Sequence, residues 1–143
     1  MSELKFETIE GEPNEADMKV LVDGMLSYHA SKGHPRKVDK CSVTIKNDDG
    51  KLVGCVMVSF LYNGMEIGSL WVDESMRGQG LGQKLMKMAE DEGKKRGATF
   101  AYTNTFTWQA PGFYEKLGYA LYGKLEDFPP ENQLSYYRKD LFR

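Results

Sequence analysis

Gly78, Gly80 and Gly82 stand between an apolar run, Met65 to Val72, and a stretch in which Leu81, Leu85, Met88 and Ala89 recur at helical spacing. The order reads as strand, loop, helix. Glycines at such a junction let the backbone come close to a ligand. The first amides of the helix have no partner within it, and with the positive end of the dipole they form an anion site suited to phosphate. The chemistry on offer is the cradling of a pyrophosphate by the main chain. Taken alone, the same residues are equally a glycine-rich turn before an ordinary surface helix.

Spacing separates the known glycine-rich loops. A P-loop needs Lys-Ser or Lys-Thr after its last glycine, whereas Gly82 is followed by Gln83, Lys84 and Leu85. A dinucleotide fingerprint needs Gly-x-Gly-x-x-Gly in the first strand-to-helix turn. The third glycine is misplaced here, and the loop lies in the middle of the chain. What remains is Arg77-Gly78-Gln79-Gly80-Leu81-Gly82, with Val72 five residues before the arginine. A second stretch, Phe113-Tyr114-Glu115-Lys116-Leu117-Gly118-Tyr119, follows about thirty residues later. Together they resemble the Gln/Arg-x-x-Gly-x-Gly/Ala and Phe/Leu-Tyr-x-Lys-x-Gly-Phe/Tyr patterns of the GNAT superfamily of acyl-CoA N-acetyltransferases. The resemblance runs from about Leu52 to the C-terminus, and the first fifty residues are compatible with it.

The resemblance implies acetyl-CoA as cosubstrate and direct transfer of its acetyl group to a primary amine in a ternary complex. Leu70, Trp71 and Val72 would offer backbone groups to pantetheine. The amides of Arg77, Gly78, Gln79, Gly80, Leu81, Gly82 and Gln83 would hold the pyrophosphate, and Phe113, Tyr114 and Lys116 would lie beside the coenzyme. Tyr114 is the expected general acid for the leaving thiolate, since an unperturbed phenol, with pKa about 10, stays protonated. Glu66 is the candidate base. Alternation places Glu66, Gly68, Leu70 and Val72 on one strand face. Water chains without a dedicated base are the alternative. Many members of the family carry an asparagine seven residues before the motif tyrosine, and this chain has Thr107 there, with Asn104 as a replacement earlier on the strand.

The elements that must position these residues fill one domain, 1–143. The expected architecture is α/β (α+β): a mixed, mostly antiparallel sheet of six to seven strands with about four helices and a central splayed parallel pair. Leu4 to Ile9 alternates weakly as a first strand, and Asn14 caps a helix with Met18, Val22, Met25 and Leu26 on its apolar face. Tyr28 and His29 at its end either face the acceptor or form ordinary helix surface. Cys41 to Ile45 and Leu52 to Phe60 are strands joined by Asn47-Asp48-Asp49-Gly50, and Asn63-Gly64 marks a second hairpin. A helix from about Gly80 to Arg96 leads to a strand over Thr99 to Thr105, parallel to the one before the helix. A short helix, Ala110 to Leu117, and closing strands Tyr119 to Leu121 and Leu134 to Lys139 complete the chain.

With 143 residues, 41% hydrophobic and 28% charged, the composition is that of one ordinary globular domain. A formal charge of −2 with scattered basic residues argues against nucleic acid. The polar, acidic start from Met1 to Gly11 and the absence of any long apolar run point to a cytoplasmic protein without a membrane segment. Cys41 and Cys55 read as reduced, buried thiols rather than nucleophiles, and neither they nor His29 and His34 stand at metal-ligand spacing. The acceptor is a small-molecule amine, an antibiotic amine or a peptide amine, the first favoured by the compact size. A homodimer using the aromatic strand Leu134 to Phe142 is expected. The rival reading is a catalytically weak acyl-CoA-binding or sensing module.

Overall fold

The computed structural model describes residues 3–142. They divide into two compact units, Met1–Arg36 and Lys37–Arg143. In the first, α1 spans Glu15–Ser31, and the Asn14 side chain accepts a hydrogen bond from the Asp17 amide at 2.8 Å, the expected cap. The strand expected over Leu4 to Ile9 is not formed. A strand needs a partner for its backbone groups, and residues 4–9 are irregular, with Leu4 and Phe6 exposed.

The second unit holds a six-stranded sheet in the order β1-β2-β3-β4-β6-β5. Its strands are β1 Val38–Lys46, β2 Leu52–Leu61, β3 Gly64–Val72, β4 Phe100–Phe106, β5 Ala120–Glu126 and β6 Gln133–Asp140. The helices are α2 Leu81–Lys95 and α3 Pro111–Lys116, preceded by a 3-10 turn at Glu74–Met76. All pairings are antiparallel except β3 with β4. The C-terminal β6 has β4 on one side and β5 on the other, so both its backbone edges are paired within the chain. Free edges belong to β1 and β5.

The β2–β3 hairpin turns one residue earlier than Asn63-Gly64 suggests. Leu61 pairs with Gly64, so Tyr62 and Asn63 form the loop, and Tyr62 takes the positive φ of 52°. Gly64 is needed for space instead, since a Cβ there would come within 2.9 Å of the Phe100 ring.

The core lies between α2 and one sheet face. Val56, Val58, Met65, Ile67, Ala101 and Tyr137 meet Leu85, Met86 and Ala89. Burying a side chain such as Leu85 contributes roughly 1.5–3 kcal/mol. The buried stripe of α2 also takes in Glu90 and Gly93, while Met88, placed inward by the helical count, is exposed. Glu90 is tolerated there because the Tyr119 hydroxyl donates to it at 2.8 Å and the Lys139 ammonium at 2.7 Å.

Three buried phenols make the fold sensitive to alkali. Burial pushes Tyr114 and Tyr119 above the usual range, and burial together with the Glu115 carboxylate pushes Tyr137 up to about 12. Unfolded phenols ionise near pH 10. The stability these groups supply is therefore complete below pH ~10 and is lost as pH rises through the folded-state values. The melting temperature, followed from pH 8 to 12, is expected to stay level to about 9 and fall steeply from about 10.

Candidate active site

The loop between β3 and α2 is fixed by its own side chains. The Asp73 amide donates to the Val53 carbonyl at 2.8 Å, and the Asp73 carboxylate accepts from both the amide and the hydroxyl of Ser75. Those two hydrogen bonds, the hydroxyl's first, hold the Asp73 carboxyl below its ordinary range. The Arg77 guanidinium folds back to donate to the Val72 carbonyl at 3.1 Å. Gly78 and Gly80 follow with φ of 79° and 75°, a left-handed backbone that glycine adopts without strain. Gly80 is the N-cap of α2, and no side chain caps that helix. No acid lies in its first turn. The leading amides of α2 are thus presented to an anion without internal competition.

Arg77, the two glycines and the first turn of α2 line a cleft of about 670 Å³. Of those expected at the coenzyme, Leu70, Trp71, Val72, Arg77, Gly78, Gly80, Leu81, Gly82, Gln83 and Phe113 all face it, joined by Met76, Trp108, Gln109 and Ala110. Gln79 and Lys116 are exposed and outside this lining. Lys116 ends α3, and the face that α3 turns inward carries Tyr114.

β3 and β4 pair only through Gly64–Phe100, Met65–Ala101 and Glu66–Tyr102. Beyond these, the Thr103 hydroxyl donates to the Ile67 carbonyl at 2.9 Å, and the strands then diverge. A second cleft of about 270 Å³ occupies the fork, lined by Gly68, Ser69, Asn104, Thr105 and Tyr114 among others, and it shares Leu70, Gln109 and Ala110 with the first. Leu70, Trp71 and Val72 pair with β2 on one side only. Their other edge can bond an extended amide chain as a neighbouring strand would. Tyr114 is 7% exposed, packed edge-on to Phe113 and Tyr119 and stacked on Tyr137. Burial raises its pKa, and the Thr103 hydroxyl beside it offsets this in part. The phenol is a proton donor at any physiological pH.

One expectation about β3 is corrected. Met57 pairs with Ser69 and Val58 with Ile67, so Gly68 is the extra residue of a β-bulge. The alternation changes phase there. Leu70 and Val72 pack on the core with Met65 and Ile67, and Glu66 is exposed on the opposite face. Strict alternation cannot register a bulge, although a glycine within a strand is the signal that marks one. Glu66 belongs to the last β3–β4 pair before the fork.

Thr107, standing where the family pattern has asparagine, reaches β6: its hydroxyl lies 3.1 Å from the Gln133 carbonyl and 2.8 Å from the Gln133 amide. Asn104 is exposed in the fork cleft. The Gln109 side chain, to which the sequence assigned no role, accepts from the Phe106 amide at 2.7 Å and sets the loop between β4 and α3. In the first unit, the Tyr28 ring lies edge-on to His29 at 6.3 Å and is exposed. Among the described residues, Cys41 and Cys55 are free, no cluster of three or more His, Cys, Asp or Glu is arranged for a metal ion, and no helix is long and apolar enough to cross a membrane.

A main-chain anion cradle, a one-sided strand edge and a buried phenol at a fork form one continuous site. Residues 11–119 match the profile of the acetyltransferase (GNAT) family. The chain belongs to this family. An acetyltransferase of Agrobacterium fabrum is 35% identical to it over 108 residues, 75% of this chain and 78% of that protein. The blasticidin-S acetyltransferase of Streptomyces morookaense is 35% identical over 82 residues, 57% of this chain and 60% of that protein. The crystal structure of an acetyltransferase from Bacillus cereus superposes with a TM-score of 0.82 at 29% identity, covering 94% of this chain and 97% of that one. In this GNAT acetyltransferase the α2 amides and glycines suit a diphosphate, and the open β3 edge suits an extended amide-bearing chain.

Proposed function

We propose that this acetyltransferase moves the acetyl group of acetyl-CoA onto the primary amine of a small molecule, by direct attack within a ternary complex, and that residues 1–143 act as one domain. The family match running across residues 11–119 supports the last point, because it spans both units. The observation that carries the reaction is the joining of the two clefts through Leu70, Gln109 and Ala110, with Tyr114 in the wall of the second. The neutral amine attacks the thioester carbon, the carbon–sulfur bond breaks, and the Tyr114 hydroxyl gives its proton to the departing thiolate. Glu66, at the base of the fork on the side away from the core, takes the proton of the amine through water. The antibiotic-acetylating relative, and the small size of the fork cleft, favour a small acceptor over a peptide.

Two measurements test this. Acetyl-CoA or CoA at a hundred times its dissociation constant should stabilise the protein by about 2.7 kcal/mol, whereas NAD should give no shift. No response to either CoA species would remove the coenzyme reading. Glu66→Gln should lower kcat by about tenfold at neutral pH. An unchanged kcat would assign proton removal to solvent alone.

A further inference from the structure

We propose that Phe106, Trp108 and Phe128 form an aromatic ledge that selects amines carrying a flat unsaturated ring. This rests on the acetyltransferase reading above and names its acceptor class. The Trp108 indole lies parallel to the Phe106 ring, with centroids 4.8 Å apart and planes at 4°, and Phe128 meets Phe106 edge-on at 5.5 Å and 78°. Trp108 is nevertheless 61% exposed and Phe128 46% exposed. Core burial therefore does not account for the Trp108 indole: one of its faces is covered by Phe106 and much of the rest is open. Offset or parallel stacking of a second ring on such a surface is favourable beyond the area it buries.

The ledge is rigid and stands at the reaction site. The Phe106 amide donates to the Gln109 side chain at 2.7 Å, the Gln109 amide returns a bond to the Phe106 carbonyl at 2.9 Å, and the Thr107 amide donates to Gln133 at 3.0 Å. Trp108 is thereby held at the tip of a tied turn, at low entropic cost to a ligand. It lines the coenzyme cleft, and the next two residues line both that cleft and the fork. Phe106 is on the sheet face opposite Thr103 and Thr105, which are buried toward the core. A ring on the ledge is thus beside the fork. The loop that supplies Phe128 carries Glu126, Asp127 and Glu131 with no basic residue between Leu125 and Asn132, a charge suited to an acceptor that arrives as a cation.

The test compares benzylamine with cyclohexylmethylamine, nearly matched in size but differing in flatness, as acceptors at saturating acetyl-CoA, with each rate referred to the concentration of the neutral amine. The kcat/KM for benzylamine should exceed that for cyclohexylmethylamine by about five- to tenfold, within the roughly two- to thirteenfold that ring stacking supplies. In Trp108→Ala, and less strongly in Phe128→Leu, the ratio should fall toward one. A ratio near one in the unaltered protein would overturn the proposal. So would a ratio that survives both substitutions, or a Trp108→Ala variant whose sole defect is a raised KM for acetyl-CoA, which would assign the ledge to the coenzyme. Failure to acetylate either amine while acetyl-CoA still stabilises the protein also overturns it. Failure of acetyl-CoA to bind overturns the reading of the cleft instead.

Discussion

Tyr114→Phe should lower kcat by about 100-fold while the affinity for acetyl-CoA stays within about twofold, because general acid catalysis is worth 10²–10⁴-fold and the substitution removes one oxygen only. The phenyl ring keeps its place against Phe113, Tyr119 and Tyr137, so the fork retains its shape. The pH profile provides a second reading of the same change. Burial raises the Tyr114 phenol above its ordinary value of 10.0, so the acid stays protonated, and any alkaline limb that it sets lies above that pH. In the phenylalanine variant that limb should disappear along with most of the rate. A variant with full kcat would show that the thiolate takes its proton from water.

Gly80→Val should weaken acetyl-CoA binding on the order of 100-fold, equivalent to losing two hydrogen bonds to a charged group at about 1.5 kcal/mol each. The site has room for a side chain, with no atom within 4 Å of a built Cβ, yet its φ of 75° is strained for any residue with a Cβ. The added branches would stand in the cleft that Gly80 lines. Strain and obstruction are separable, because Gly97, just beyond the far end of α2, has a φ of 88° and similar open space. Gly97→Val should cost about the same stability, 1–2 kcal/mol, and leave acetyl-CoA affinity untouched. Equal losses of affinity in the two variants would mean that strain transmitted through α2, rather than the cradle, is responsible. Isothermal titration of both variants beside the unaltered protein decides between these outcomes.

The glycine cradle of the candidate site was legible in the sequence because main-chain cradles require glycine at fixed positions. Gly78 and Gly80 announce backbone conformations that other residues resist, and the helix after them has a strong period. Tyr114 was likewise placed by its motif. What escaped depended on departures from periodicity and on long-range partners. The Gly68 bulge moved Glu66 to the other face of β3. Nothing in the sequence marks Glu90, because its partners Tyr119 and Lys139 stand 29 and 49 residues away. Thr107 stood out only as a departure from the family's asparagine, and its partner, Gln133 on β6, lies 26 residues away. The unformed first strand over Leu4 to Ile9 shows the same limit, since alternation carries no information about whether a neighbouring edge is available.

The three-pair seam between β3 and β4 also bears on how the molecule comes together. β1, β2 and β3 form a meander of successive hairpins, and β5 pairs with β6 as another antiparallel neighbour in sequence, so much of the sheet forms from nearby chain. The pairing of Gly64–Glu66 with Phe100–Tyr102 instead closes a loop that contains the whole of α2, and such distant parallel contacts are slow to form because chain entropy is lost before they bring any return. The join that completes the sheet is therefore the join whose far end opens into the fork. Without this join both halves of the sheet could be formed and the cleft at the fork would still be missing.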